Sequence, residues 1–267
     1  MNAPTGNILE TILVNKWNEV ARQKEELPLH RLERAIRLQP RQPLSLSAAL
    51  LASPTGVIAE FKRRSPSRGW IAPAADVARV TAAYQDAGAA AISCLTDERF
   101  FAGGFTDFER ARAVVTRVPL LRKDFIVDVY QVYQSRVLGA DAILLIAACL
   151  TREETRELAA LARKLGMETL LEIRDESELD YIAPGVEAVG VNSRDLRDFS
   201  TDVNRARELA RCLPPGPVPV AESGIDSPAT IRDLRAAGFR GFLVGEHLAR
   251  ATDPGQALED LLAGVVS

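Results

Sequence analysis

Apolar residues in this chain fall into short runs separated by stretches of helical period, and the alternation is regular. Runs rich in Val, Ile and Leu occur at TGVIAEFKR, AAAISCLTD, VPLLRKDF, ADAILLIAA, METLLEIR, AVGVNSRD, VPVAESG and GFLVGEHL. Each has the length of a buried strand. Amphipathic stretches follow at 75–87, 107–116, 128–138, 151–165, 175–183, 204–213, 226–238 and about 246–263. Gly88, Gly139, Gly166 and Gly238 stand where a left-handed residue closes a helix and feeds the next strand. Thr151 with Glu154 has the spacing of a capping box. Upstream, Ile8, Ile12, Leu13, Trp17 and Val20 share one helical face, and Glu10, Lys16, Glu19 and Arg22 take the polar one. The basic stretch from Leu27 to Pro43 ends in QPRQP, which breaks any helix there, and a short apolar helix is predicted from Leu44 to Leu51.

Eight strand–helix units predict an α/β fold, a (β/α)8 TIM barrel. A doubly wound sheet would carry a Gly-rich turn after its first strand, whereas this one runs into EFKRRSPS. The expectation is one barrel domain over residues 1–267, with residues 1–52 as an N-terminal helical extension.

Composition narrows the function. The 267 residues are 47% hydrophobic and 26% charged, ordinary for a globular chain. Lys and Arg total 33 against 36 Asp and Glu, a formal charge of -3. That excludes an overall basic field, so neither nucleic acid nor a membrane surface is expected as partner. The N-terminus lacks the features of a signal peptide, which points to the cytoplasm. Cys94, Cys149 and Cys212 are too scattered for a disulfide framework or a zinc site, and His30 and His247 read as structural. No metal is expected.

Active sites of such barrels lie at the C-terminal ends of the strands. There the sequence offers Glu60 and Lys62, then Lys123, Glu172, Asn192 and Glu222, in runs that are otherwise apolar. Ionisable groups in such runs are costly unless paired or used. Strand alternation puts Glu60 with Lys62 on one face, and Asn192 with Arg194. A consistent assignment points both lysines and the three glutamates into the barrel mouth, an arrangement suited to acid–base chemistry on an anionic substrate. Ser223-Gly224 and Gly245-Glu246 end the last two strands, where barrels bind phosphate on backbone N–H groups. Gly245 is expected to leave room for that anion. The long basic loop KRRSPSRGWIAPAAD reads as a lid over an anionic ligand. Phe100, Phe101 and Phe105 in the next loop could close over an aromatic ligand or pack against a neighbouring loop.

AEFKRRSPSRG, SCLTDERFFAGGFTDF, LRKDFIVDVYQVYQSRVLGADAILLI, LLEI, GVNSRDL, AESGI and LVGEHL, in this order, resemble the indole-3-glycerol phosphate synthase family of tryptophan biosynthesis. The similarity runs from about Ile8 to the C-terminus, and LRKDF followed by ADAILLI is its most specific part. The resemblance implies a small phosphorylated substrate, 1-(2-carboxyphenylamino)-1-deoxyribulose 5-phosphate, which closes its ring with loss of carbon dioxide and water. It implies Lys123 as the general acid, Lys62 on the substrate's anionic groups including phosphate, and Glu172 as the acid–base group of dehydration. Glu60 would steer Lys123 and the substrate amine. Asn192, Glu222 and Ser223 would orient the substrate within the catalytic set. Ser65 and Arg194 would lie near its carboxylate, with Phe125 and Leu145 lining the aromatic pocket. Gly224, Gly245 and Glu246 would take the phosphate. No cofactor is implied, because the protonated imine formed on ring closure is itself the electron sink. Phosphoribosylanthranilate isomerase, a barrel with a related substrate, stands as the alternative, as does a non-catalytic phosphate-ligand-binding paralogue. The first resembles a Cys/Asp pair where this chain has Glu60 and Lys62. Oligomeric state is left open by the sequence.

Overall fold

The computed structural model describes residues 8–38, 41–194 and 203–266. Helices α1 (Ile8–Glu26), α2 (Leu29–Arg37) and α3 (Leu46–Ala52) precede eight strands: β1 (Val57–Phe61), β2 (Ala91–Leu95), β3 (Leu120–Lys123), β4 (Ala142–Ile146), β5 (Glu168–Ile173), β6 (Ala188–Asn192), β7 (Val218–Glu222) and β8 (Gly241–Val244). All eight pair in parallel, each with its sequence neighbours, and β1 closes on β8. The predicted (β/α)8 barrel is what forms. Parallel strands need crossovers. They run through α4 (Val77–Asp86), α5 (Glu98–Phe101) with α6 (Phe105–Val114), α7 (Val129–Leu138), α8 (Arg152–Lys164), the 3-10 segment Glu176–Tyr181, α9 (Val203–Ala210) and α10 (Pro228–Ala236), and α11 (Glu246–Ala249) with α12 (Pro254–Val266) follows the last strand.

Period-2 alternation divides every strand between two apolar layers. Val57, Ala59, Phe61, Ile143, Leu145, Leu171, Val189 and Val191 pack outward against Val80, Tyr84, Leu158 and Ile231 of the helices. Ile58, Leu121, Leu144, Ile146, Leu170, Val220 and Leu243 fill the barrel. The helix ends are closed as their residues dictate. Gly139 ends α7 at φ 83, and Thr151 with Glu154 makes a reciprocal capping box on α8.

Helix α2 lies within the basic stretch and stops at Arg37, ahead of QPRQP, with Leu32 its buried residue. Three local expectations are corrected. Residues 175–183 form no α-helix but a 3-10 segment, Glu176–Tyr181, started by Asp175 accepting from the Ser177 N–H. The last predicted helix is two, because Pro254 starts α12 afresh, with Asp253 capping the N–H groups of Gly255 and Gln256. In α1 the buried positions are Leu9, Ile12, Lys16 and Val20, while Trp17 is 54% exposed. The stripe therefore lies one residue to the side of the predicted one, and a lysine completes it.

Lys16 is wholly buried because carboxylates meet it. Its Nζ lies 3.1 Å from Asp97 Oδ2, 2.9 Å from Asp124 Oδ1 and 2.9 Å from Glu19 Oε2. Burial opposes its charge, but Asp124, Asp97 and Glu19 outweigh it and hold the ammonium above the usual lysine range. Asp124 also accepts from Thr96 Oγ1 at 2.6 Å and from Arg122 Nη2 at 2.8 Å. This network ties the N-terminal extension to the ends of β2 and β3. No helix among the described residues is long and apolar enough to cross a membrane.

Candidate active site

A cavity of about 500 Å³ opens at the C-terminal end of the barrel. Glu60, Lys62, Ser65, Lys123, Phe125, Glu172, Asn192, Arg194, Glu222, Ser223, Gly224, Gly245 and Glu246 all line it. Strand register explains the convergence. Glu172 faces Gly190 across β5–β6, and Asn192 faces Glu222 across β6–β7, so inward residues from successive strands arrive at similar heights.

Leu145 is the exception. It belongs to the outer layer, between barrel and helices, and Leu144 with Ile146 faces the cavity instead. β1, β3, β5 and β7 each carry, at or next to the end, a charged residue that lines the cavity; AILLI is apolar on both faces, so nothing in it sets the parity.

The charged groups form an interlocked set. Lys62 Nζ pairs with Glu60 Oε1 at 2.7 Å, and Lys123 Nζ lies 3.6 Å from Glu172 Oε2 and 3.8 Å from Glu222 Oε2. Burial works against the Lys123 charge, yet Glu172, Glu222 and Glu60 overcome it and keep the ammonium protonated well above the ordinary lysine range. Glu60 is also buried, but Lys62 and then Lys123 hold its carboxyl below the usual value. Glu222 goes the other way: burial and the neighbouring Glu172 push it up, against the pull of Lys123. Its Oε1 has no hydrogen-bond partner, so nothing at that oxygen offsets the cost of burying the charge. Asn192 Nδ2 donates to Glu172 Oε1 at 2.9 Å, while its Oδ1 accepts the Arg194 N–H at 2.9 Å, so the amide is oriented from both sides.

Two glycines make this packing possible. A Cβ at Gly190 would overlap Glu222 Oε1, and one at Gly245 would overlap Glu60 Oε1. The room expected at Gly245 for an anion is thus taken by Glu60. Gly245→Ala is expected to dislodge Glu60 from Lys62 and lower kcat by about tenfold to a hundredfold, the usual consequence of an ångström-scale misplacement. Steady-state kinetics check this: a change in KM alone would mean that the added methyl obstructs the phosphate rather than displacing Glu60.

One wall is aromatic. Phe125 and Phe101 both line the cavity, with ring centroids 6.1 Å apart. Phe125 is pinned by its own N–H on Asp124 Oδ1 (2.8 Å) and by Gln131 Nε2 on its carbonyl (2.9 Å). Phe105 does not reach the cavity's lining and instead lies under the Arg122 guanidinium at 5.1 Å. At the opposite end Ser223 and Gly224 both have positive φ, 67 and 74. Ser223 pays for this left-handed turn with strain of about 1–3 kcal/mol, of the kind that collects at ligand sites. The basic loop after β1 forms a small hairpin, Arg64–Ser65 with Gly69–Trp70, and its Ser65–Arg68 segment borders the cavity. Arg63 anchors it on Asp107 and on the Ala75 carbonyl.

Phe101 lines the cavity, as one of its two expected readings had it, and so does His247, expected to be structural. Asp97, Asp124, Leu144, Ile146, Asp226 and Arg250 line it without having been assigned a role, and Ser67 and Arg68 had been placed only within the basic loop. The two aspartates end the same strands as assigned residues and could have been found from that. Arg68 was legible only as part of the basic loop, and Arg250 carries no local signal. Among the described residues no group of three or more His, Cys, Asp or Glu side chains could hold a metal ion.

A closed parallel barrel with two lysines and three carboxylates converging at the strand C-termini defines a (β/α)8-barrel enzyme working by acid–base chemistry. Solved structures share the fold at low identity: a mandelate oxidase variant with benzaldehyde (TM-score 0.58, 16% identity, 90% of this chain and 91% of that one) and thiamine phosphate pyrophosphorylase from Pyrococcus furiosus (TM-score 0.59, 17%, 80% and 96%). Sequence is more specific. The family model for indole-3-glycerol phosphate synthase matches residues 9–261. Indole-3-glycerol phosphate synthase of Bacteroides thetaiotaomicron is 46% identical over 259 residues, covering 97% of this chain and 99% of its own. That of Carboxydothermus hydrogenoformans is 43% identical, covering 96% and 99%. The chain belongs to the indole-3-glycerol phosphate synthase family.

Proposed function

We propose that this chain converts 1-(2-carboxyphenylamino)-1-deoxyribulose 5-phosphate to indole-3-glycerol phosphate, a carboxy-lyase reaction of tryptophan biosynthesis. The observation that carries the reading is the placement of the Lys123 ammonium within 4 Å of both Glu172 and Glu222, in the same cavity that Phe101 and Phe125 line. In this reading the carboxyl-bearing ring carbon attacks the ribulose C2′ carbonyl, forming the new C–C bond while Lys123 gives the carbonyl oxygen its proton. The ring nitrogen takes the positive charge as a protonated imine. Carbon dioxide then leaves, and its bonding pair restores the aromatic ring. Finally the C2′ hydroxyl departs as water and C1′ loses a proton, with Glu172 moving the proton. Asn192, bonded to Glu172, fixes the orientation of that carboxylate. Glu60 holds Lys62 toward the anionic groups of the substrate, and Arg194 with Ser65 attends its carboxylate.

The phosphate belongs at the seventh and eighth strand ends, on backbone N–H groups of the Ser223-Gly224 turn and of Gly245-Glu246, with Lys62 in support. Glu246 contributes only its N–H there, because its carboxylate is engaged by arginines. Mixing purified protein with the substrate and following indole fluorescence tests the activity; no product from folded protein would reject it. A finer test concerns Glu172. Glu172→Gln keeps shape and hydrogen bonding but cannot exchange the proton, so kcat is expected to fall about a hundredfold or more with KM little changed. A variant that loses affinity and keeps kcat would make Glu172 an orienting group.

A further inference from the structure

Three arginines from three separate segments share one carboxylate at the phosphate end of the cavity. Glu246 Oε1 lies 3.1 Å from Arg68 Nε and 2.9 Å from Arg250 Nη2, and Oε2 lies 3.1 Å from Arg194 Nη2. All four residues line the cavity. Arg68 comes from the loop after β1, Arg194 from the end of β6, and Arg250 from the residue after α11. One anion for three cations leaves this corner positive, even with the Asp226 carboxylate at the same rim.

We propose that Arg68 and Arg250 are side-chain ligands for the substrate's phosphate, parked on Glu246 in the free protein and transferred to the phosphate when it binds. The proposal rests on the reading that phosphate lies between the seventh and eighth strand ends.

Exchange costs little, because the Arg68 and Arg250 side chains are 52% and 55% exposed, and pairs this open to water contribute about 0–1 kcal/mol. A phosphate monoester offers about two negative charges and three acceptor oxygens, which guanidinium forks bind better than a single shared carboxylate. The N–H that begins α11 belongs to Glu246 itself. A phosphate arriving there meets the carboxylate of the same residue, so the two anions compete for the same guanidinium groups. Arg194 is less free: it is more buried and also reaches Ser67 Oγ at 3.4 Å, so it remains as the tether between this corner and the rest of the cavity.

The test is competition by inorganic phosphate against the substrate, at constant ionic strength, for the wild-type chain and for R68Q, R250Q, the double variant, E246Q and R64Q. Arg64 is the control. It belongs to the same loop and carries the same charge, but stacks over Trp70 and does not line the cavity. R68Q and R250Q are each expected to raise the inhibition constant for phosphate, and KM, by about threefold to tenfold with kcat within about twofold. E246Q, which removes the internal competitor, is expected to lower the inhibition constant, and R64Q to leave it unchanged. Equal inhibition of the double variant and the wild type would overturn the proposal while leaving the phosphate site in place. So would an R64Q effect as large as that of R68Q, since the cause would then be general charge. A higher inhibition constant in E246Q would overturn the transfer step. Absence of competition in the wild type would remove the phosphate site and this proposal together.

Discussion

Lys123→Ala is expected to lower kcat by at least about a hundredfold, the low end for losing a positioned proton donor. The expectation comes from its surroundings as much as its position. Glu172, Glu222 and Glu60 keep the side chain protonated, so it is a proton donor under all ordinary assay conditions. Alanine removes the acid and also leaves Glu172 and Glu222 facing each other without the cation between them. Added substrate cannot restore the rate, so the loss lies in kcat rather than KM. The measurement is single-turnover fluorescence of the product, with thermal unfolding to establish that the variant is folded. A folded variant with kcat within tenfold of wild type would take the acid role from Lys123.

The largest expected effect on stability lies outside the cavity. Lys16→Met matches the side chain in length and leaves Asp97 and Asp124 buried with one cation fewer. Removing one partner of a buried ion pair costs about 3–5 kcal/mol. In a chain of this size that corresponds to a fall in melting temperature of roughly 10 °C. Arg122 still pairs with Asp124, so Asp97 is the more exposed to the loss. Adding Asp97→Asn to Lys16→Met is accordingly expected to recover part of the stability, although each change alone destabilises. Thermal melts of the three variants decide this. A Lys16→Met protein that melts within about 2 °C of wild type would mean that water replaces the ammonium.

These two lysines show what the sequence discloses and what it hides. Lys123 was legible because it sits in an apolar strand, where a charge stands out and parity tells which way it points. The same logic placed Glu60, Glu172, Asn192 and Glu222 on the inner face. It failed on β4, where both faces are apolar and a one-residue slip exchanged Leu145 for Leu144. It failed again on α1, where Lys16 reads as an ordinary member of a polar face; its burial depends on aspartates at the ends of two distant strands. Arg68 and Arg250 were hidden for the same reason. Their meaning lies in a shared carboxylate that only the closed barrel brings within reach. Helix caps lay at the other extreme, since Gly139 and the Thr151–Glu154 pair act within a few residues and were read directly.

The anchoring of α1 also bears on the order in which the molecule is completed. Lys24 with Asp128, Gln23 with Gln134, and the Tyr130 hydroxyl with the Gln23 and Leu27 carbonyls join residues 103 to 111 positions apart. Helix α1 must therefore wait for β3 and α7 before it can make these contacts, and closing so long a loop is slow compared with forming the helix. Until Lys16 arrives, Asp97 and Asp124 remain open to water, and the backbone that holds Phe125 lacks its support from behind. The aromatic wall is thus finished by the return of a segment more than a hundred residues upstream.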